Sequence, residues 1–226
     1  MPDSEDVKPG SWREMPETEL VSRPTGPVEQ PRVYFADDLI AIYTAFRDQV
    51  YTPQSVLYPG CGFDGSPAKV FENVTFVDAE KGNEGCVLKL QEAGLHALKQ
   101  DIRYYSPAEQ HDLLILLNPA IPIELTTQHL RSGGYVLANN YHLDASWLNA
   151  RKDRFSLVGM IDYDPNTNST RITINEDGKL GRTISIDDIA ESRPLEHWQF
   201  TTTKQTGQFS MLPFERVADR YIFLKK

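Results

Sequence analysis

Apolar residues recur every three or four positions through Phe35, Leu39, Ile42, Tyr43, Phe46 and Val50, with Asp37 and Asp38 in the first turn. That period predicts an amphipathic helix from about residue 34, closed by Pro53. A short buried-type strand follows at Ser55–Tyr58 and runs into Pro59-Gly60-Cys61-Gly62-Phe63-Asp64-Gly65. Ser66-Pro67-Ala68 reads as a helix start of about two turns, with Ser66 as cap and Pro67 in the first helical position. Val74–Asp78 is a second strand that ends on an acid. The alternation continues with a helix over 84–95, a weak strand over 97–102 ending near Asp101, and a strand at Asp112–Leu117. The last of these is apolar throughout, as in a strand covered on both faces. A helix over 122–131, closed by Ser132-Gly133-Gly134, precedes a strand at Tyr135–Ala138. Strands alternating with crossover helices predict an α/β fold, an open and mostly parallel sheet with ligands at the carboxyl ends of its strands.

After residue 150 the pattern changes. Phe155–Ile161, Ser169–Asn175, Trp198–Thr202 and Arg220–Leu224 read as strands joined by loops, with a polar turn at Asp164–Asn168. Consecutive strands without long helices pair antiparallel, so the sheet is expected to finish with an antiparallel carboxyl-terminal edge. Residues 1–31 hold six of the fifteen prolines and no apolar period. They read as a Pro-rich tail, disordered or strapped over the domain. One domain, 32–226, is expected beyond it, with a parallel half to residue 150 and an antiparallel part from 151.

Charge and composition narrow the class. The 226 residues carry a net charge of −9, divided as −4 over 1–31, −6 over 32–150 and +1 over 151–226. Without a basic surplus, nucleic acid is the less favoured partner. No apolar run reaches the roughly 20 residues of a membrane span, and two cysteines, Cys61 and Cys86, make no disulfide framework or metal spacing. A cytoplasmic setting without a metal is the expectation.

The candidate chemistry lies where the first strand ends. Gly60 and Gly62 let the chain turn with positive φ and let a ligand approach bare backbone. Asp78 stands eighteen residues after Gly60, at the tip of the next strand. There its carboxylate can accept hydrogen bonds from two ribose hydroxyls. The same glycines spell G-x-G-x-x-G, which leaves an NAD-binding oxidoreductase as one alternative. A tight turn beside an ordinary strand-end acid is the plainer one.

In these residues the chain resembles the Rossmann-like (class I) S-adenosylmethionine (SAM) dependent methyltransferases, over roughly 34–150 and the last strand. The resemblance implies a SAM cofactor. Gly60-Cys61-Gly62 matches the glycine loop beside the methionine part of SAM, Asp78 the ribose-binding acid, and Asp101 an acid near the adenine amine. Asn118-Pro119 matches the position facing the transferred methyl group. Leu130–Leu137 is similar to the passage into the fifth strand, and Arg220–Lys226 to the closing antiparallel strand. Two positions depart. Tyr58 stands where the family has an acid and Asp64 where it often has a third glycine, so that Asp64 either takes over the acidic role or alters the pocket. A protein of this fold that binds without transferring methyl groups is a further alternative. Asn118-Pro119-Ala120-Ile121 also lacks the aromatic of the amino-group methyltransferase motif.

Methyl transfer needs alignment first, and a base only when the acceptor bears a proton. Asn118, Tyr141 and His142 are the candidate catalytic residues, the last two in the loop Asn139–Asp144, which in an open sheet overhangs the crevice. Cys61 reads as a small packed residue. The basic knot Arg151-Lys152-Asp153-Arg154 reads as a solvated cluster or an anion grip. The expected partner is a small-molecule acceptor, with a protein acceptor as the alternative.

Overall fold

Runs that are apolar on both faces have to be covered on both faces, and the chain meets that demand with one twisted sheet between two helical layers. The computed structural model describes residues 32–117, 119, 121–175 and 218–226. Among these, helix α1 is Asp37–Gln49, β1 Val56–Pro59, β2 Val74–Asp78, α2 Cys86–Glu92, β3 Ala97–Lys99 and β4 His111–Leu116. Then come α3 (Ile123–Thr127), β5 (Leu130–Ala138), α4 (Asp144–Ala150), β6 (Phe155–Asp164), β7 (Ser169–Ile174) and β8 (Arg220–Lys225). The strand order is β3-β2-β1-β4-β5-β8-β6-β7. The first five strands are mutually parallel, while β8 runs antiparallel to both β5 and β6, and β7 antiparallel to β6.

Alternate residues of each strand serve opposite layers. Tyr58, Phe76, Leu113 and Ile115 join Leu39, Tyr43 and Phe46 of α1 on one face. Leu57, Val77, Leu114 and Leu116 join Ile123, Trp147 and Leu148 of α3 and α4 on the other. The expected α/β class and its antiparallel carboxyl-terminal edge are therefore the observed ones.

Several expected elements are corrected. The two-turn helix after the glycines is a single 3₁₀ turn, Ser66–Lys69, and Ser66 caps nothing. Its hydroxyl instead accepts from the Ala36 amide at 2.8 Å and donates to Asp64 at 2.5 Å. Ser132-Gly133-Gly134 does not close a helix. The chain is already in β5 at Leu130, and the pairing jumps from His111↔Leu130 to Leu113↔Tyr135, so the glycines form a bulge, with Gly133 at φ +74°. The helix expected over 84–95 ends sooner, before Gly94 at φ +78°. Helix α4 occupies residues read as loop and unassigned chain; Asn140 Oδ1 accepts the Ser146 amide at 2.9 Å in its first turn. The expected strand at Trp198–Thr202 and the tail 1–31 lie outside the described residues.

The amino edge of the sheet is sealed by polar side chains. Asp112 accepts from the Gln54 and Ser55 amides (2.7 and 3.1 Å) and from Arg131 Nε at 2.5 Å. Burial alone would raise its pKa, but Arg131 and the two amides outweigh burial and hold it below the usual range. The Arg151–Arg154 knot leads into Phe155, which pairs with Lys225 at this same edge, away from the carboxyl ends. It therefore has no place beside a crevice there.

His111 is buried at this edge, with Ser55 Oγ 2.6 Å from Nδ1 and Tyr105 Oη 2.8 Å from Nε2. Burial, helped by His129, pulls its pKa from 6.5 down to about 4. The unfolded chain thus binds a proton at a pH where the folded chain does not, so stability is full above about pH 6.5 and falls towards pH 4. Urea unfolding should lose about 2–3 kcal/mol across that interval. His111→Gln should flatten the slope, and an unchanged slope would assign it to other groups.

Candidate functional site

At the end of β1 the chain reverses through two glycines that hold left-handed φ, +62° at Gly60 and +55° at Gly62. Gly60 N–H extends the ladder to Val77 C=O at 2.8 Å. A Cβ on Gly60 would lie 2.9 Å from both Cα and O of Pro119, so the post-β4 segment passes directly over this residue. Gly62 turns its N–H onto Asp78 Oδ2 at 3.0 Å, while the Glu80 N–H reaches Asp78 Oδ1 at 2.6 Å. Among the described residues, each carboxylate oxygen of Asp78 thus spends one lone pair on backbone and keeps one.

Beside these groups lies a cavity of about 320 Å³, at the carboxyl ends of β1, β2 and β3. Gly60, Asp78 and Asp101 of the expected cofactor residues line it, together with Val77, Ala79, Lys81, Asn83, Gln100, Ile102, Arg103, Pro119, Ile121, Pro122 and Leu125. Its lining is apolar at Val77, Ile102, Ile121 and Leu125 and acidic at Asp78 and Asp101. Asp101 caps the 3₁₀ turn Ile102–Tyr104 through the Arg103 amide and takes Arg103 Nε and Nη2 at 3.0 and 2.6 Å. Arg103 holds its pKa down to about 2. Lys81 Nζ stands 4.0 Å away.

Tyr58, Cys61, Gly62 and Asp64, also expected around the cofactor, do not line this cavity. Tyr58, Cys61 and Asp64 are buried. Tyr58 Oη donates to Asp64 Oδ2 at 3.0 Å, and Ser66 donates to Asp64 Oδ1 from its amide (2.8 Å) and its hydroxyl. Burial still leaves the Asp64 pKa raised despite these donors. Gly62 is tied to the cavity through its bond to Asp78, and Cys61 is a packed thiol whose pKa is pushed up by burial and by Asp78. Among the candidate catalytic residues, Asn118 lies outside the described residues. Tyr141 and His142 follow β5 and pack edge to face at 4.9 Å between ring centres; His142 is buried, and neither lines the cavity.

The residue that sequence reading missed most completely is Glu80, buried and left-handed at φ +56°. Its carboxylate pairs with Lys99 and accepts the Val87 amide at 3.1 Å in the first turn of α2. The Lys99 hydrogen bond holds its pKa below the usual range. No spacing rule flags an acid two residues past a strand end. Lys81, Asn83, Gln100 and Arg103 were equally silent, being ordinary polar residues in short loops. Among the described residues, no group of three or more His, Cys, Asp or Glu side chains could hold a metal ion, and no helix is long and apolar enough to cross a membrane.

No family model matches the chain, and no curated protein matches it. Solved structures similar to it include the N-methyltransferase NodS from Bradyrhizobium japonicum with S-adenosylhomocysteine (SAH), at 14% identity over 60% of this chain and 82% of that one, TM-score 0.42. A methyltransferase from Geobacter sulfurreducens is 19% identical over 57% and 75% of the two chains, TM-score 0.41. A SAM-dependent methyltransferase from Clostridium acetobutylicum is 17% identical over 84% and 89%, TM-score 0.38. The chain spans 64% of the length of a further NodS structure and 35% of coclaurine N-methyltransferase.

Gly60 makes the first prediction at the site. Gly60→Ala combines positive φ with a backbone clash and should cost about 2–3 kcal/mol. Gly94→Ala has the same sign of φ but nothing within 4 Å of the added Cβ, and should cost only about 1 kcal/mol. Equal losses in urea unfolding would deny the close approach of Pro119. By strand order, by the direction of β8 between β5 and β6, and by the glycine turn at the end of β1, the fold is a Rossmann-like α/β sheet, mostly parallel, with an antiparallel strand between β5 and β6.

Proposed function

We propose that the protein is a SAM-dependent methyltransferase acting on a small-molecule acceptor. The observation that carries this reading is the Asp78 carboxylate, fixed by the Gly62 and Glu80 amides at the edge of the cavity with one lone pair left on each oxygen. Two lone pairs held side by side suit the two hydroxyls of a ribose. Val77, Ile102, Ile121 and Leu125 offer an apolar slot for a planar base. The cavity falls within the range that small-molecule sites occupy. The glycine turn supplies bare backbone where the remainder of the cofactor would lie.

SAM, when bound, supplies an electrophilic methyl group on a sulfonium. What this chain's residues do for it is bind, orient and exclude water, since the reaction is a direct displacement and alignment carries much of the rate. Asn118, Tyr141 and His142 are proposed on the acceptor side of that line, by their positions after β4 and β5. There His142 would take a proton from the acceptor where it has one to lose. Asp64 is assigned no ligand, because its oxygens already hold Tyr58 and Ser66.

Calorimetry with SAM and with SAH tests the reading, with NAD(P) as the counter-probe. Saturable SAM and SAH binding is expected, with Asp78→Ala weakening it by about 2–3 kcal/mol, some 30- to 150-fold, through two lost hydroxyl contacts. Gly60→Arg should abolish it. Wild-type protein that binds NAD(P) and not SAM would overturn the assignment. SAM binding with no transfer of a labelled methyl group to any small molecule or protein in a lysate would leave the fold serving as a binding module.

A further inference from the structure

We propose that Glu80 is the positioning residue of this site, holding the Asp78 carboxylate and the 79–85 loop in the arrangement that accepts a ribose; the proposal rests on the SAM reading above. Glu80 sits at the crossing of two sets of bonds. Its backbone amide donates to Asp78 Oδ1 at 2.6 Å. Its side chain turns the other way, pairs with Lys99 at the end of β3 and accepts the Val87 amide at 3.1 Å. Between those anchors the loop contributes Ala79, Lys81 and Asn83 to the cavity wall. Asn83 also lies 3.4 Å from where a Gly62 Cβ would be, so the loop leans on the glycine turn.

The choice of residue is the telling point. A left-handed φ of +56° is what glycine or asparagine adopts at least cost, and a buried glutamate there carries strain of about 1 kcal/mol. Burying a carboxylate adds a further penalty unless it is paired and hydrogen-bonded. Both costs are opposed by the side chain's pairing with Lys99 and its bond from the Val87 amide. Glycine would relax the backbone and lose the anchor. The arrangement therefore favours a fixed loop over an unstrained one, and the part of the loop so fixed is the part facing the cavity.

The test uses Glu80→Asn and Glu80→Gly, which suit the backbone but lack the reach, and Glu80→Gln, which keeps the reach without the charge. SAH binding by calorimetry should weaken at least tenfold in the first two and stay within threefold of wild type in Glu80→Gln. Thermal midpoints recorded alongside separate positioning from folding, since a purely structural role would move affinity and midpoint together in all three. Glu80→Gly or Glu80→Asn binding SAH as tightly as wild type would overturn the proposal. If wild-type protein binds no SAH, the cofactor reading fails by itself. Amide exchange in the free protein then decides: at least tenfold faster exchange at Val87 in Glu80→Asn than in Glu80→Gln supports the positioning role, and equal exchange refutes it.

Discussion

One carboxylate sets the geometry of the sheet's carboxyl edge. Asp78 ends β2 buried, and a buried carboxylate persists only where donors surround it. Two turning segments provide them, the glycine turn through Gly62 and the following loop through Glu80. Neither can shift without stripping a donor from the acid, so the two walls that meet at Asp78 are mechanically one piece. The left-handed backbone at Gly62 and at Glu80 follows from this, since each N–H has to be turned back onto the strand tip. Strain of that kind collects where surrounding structure over-determines it.

A second acid, Asp64 in the glycine turn, does the opposite job. Asp64 faces away from the cavity and gathers Tyr58 from β1 and Ser66 from the 3₁₀ turn; Ser66 in turn takes the Ala36 amide at the entrance to α1. The chain Ala36–Ser66–Asp64–Tyr58 clips the first helix to the first strand across the back of the glycine turn. Tyr58 and Asp64, the two positions that depart from the pattern of the family the sequence resembles, are thereby bonded to each other. The hydroxyl at one position requires an acceptor at the other, and together they make a fastening.

How much of this was legible depends on whether a residue's role repeats with a period. Strands β1, β2 and β4 announce themselves through unbroken apolar runs, and α1 through its three-to-four spacing, because burial on a face writes a pattern. Single hydrogen bonds write none. Ser66 before a proline has the look of a cap, yet the chain had room for one tight turn before β2, and its hydroxyl was drawn to Asp64. Ser132-Gly133-Gly134 looks like a helix stop because a bulge needs the same positive φ as a helix end. Asn139 and Asn140 suggested loop, and the short α4 beginning four residues on was hidden by the turn they make. Gly60 and Asp78 could be placed from spacing along alternating strands, and Asp101 from the family resemblance, whereas Glu80 and Arg103 depend on side-chain reach.

The chain's acidity also changes meaning at this resolution of detail. Three acids around a crevice, Asp64, Asp78 and Asp101, would by count alone make a field suited to a cationic ligand. Yet Asp64 is turned inward, Asp101 is clasped by Arg103 with Lys81 near, and Glu80 is paired with Lys99. Among the described residues, that leaves Asp78 as the cavity-lining acid without a cationic partner, with two of its four lone pairs taken by backbone amides. Net charge therefore cannot be what selects a ligand here. Selection has to come from the direction of the remaining lone pairs and from the apolar walls, so it is set by hydrogen-bond geometry and is little affected by salt.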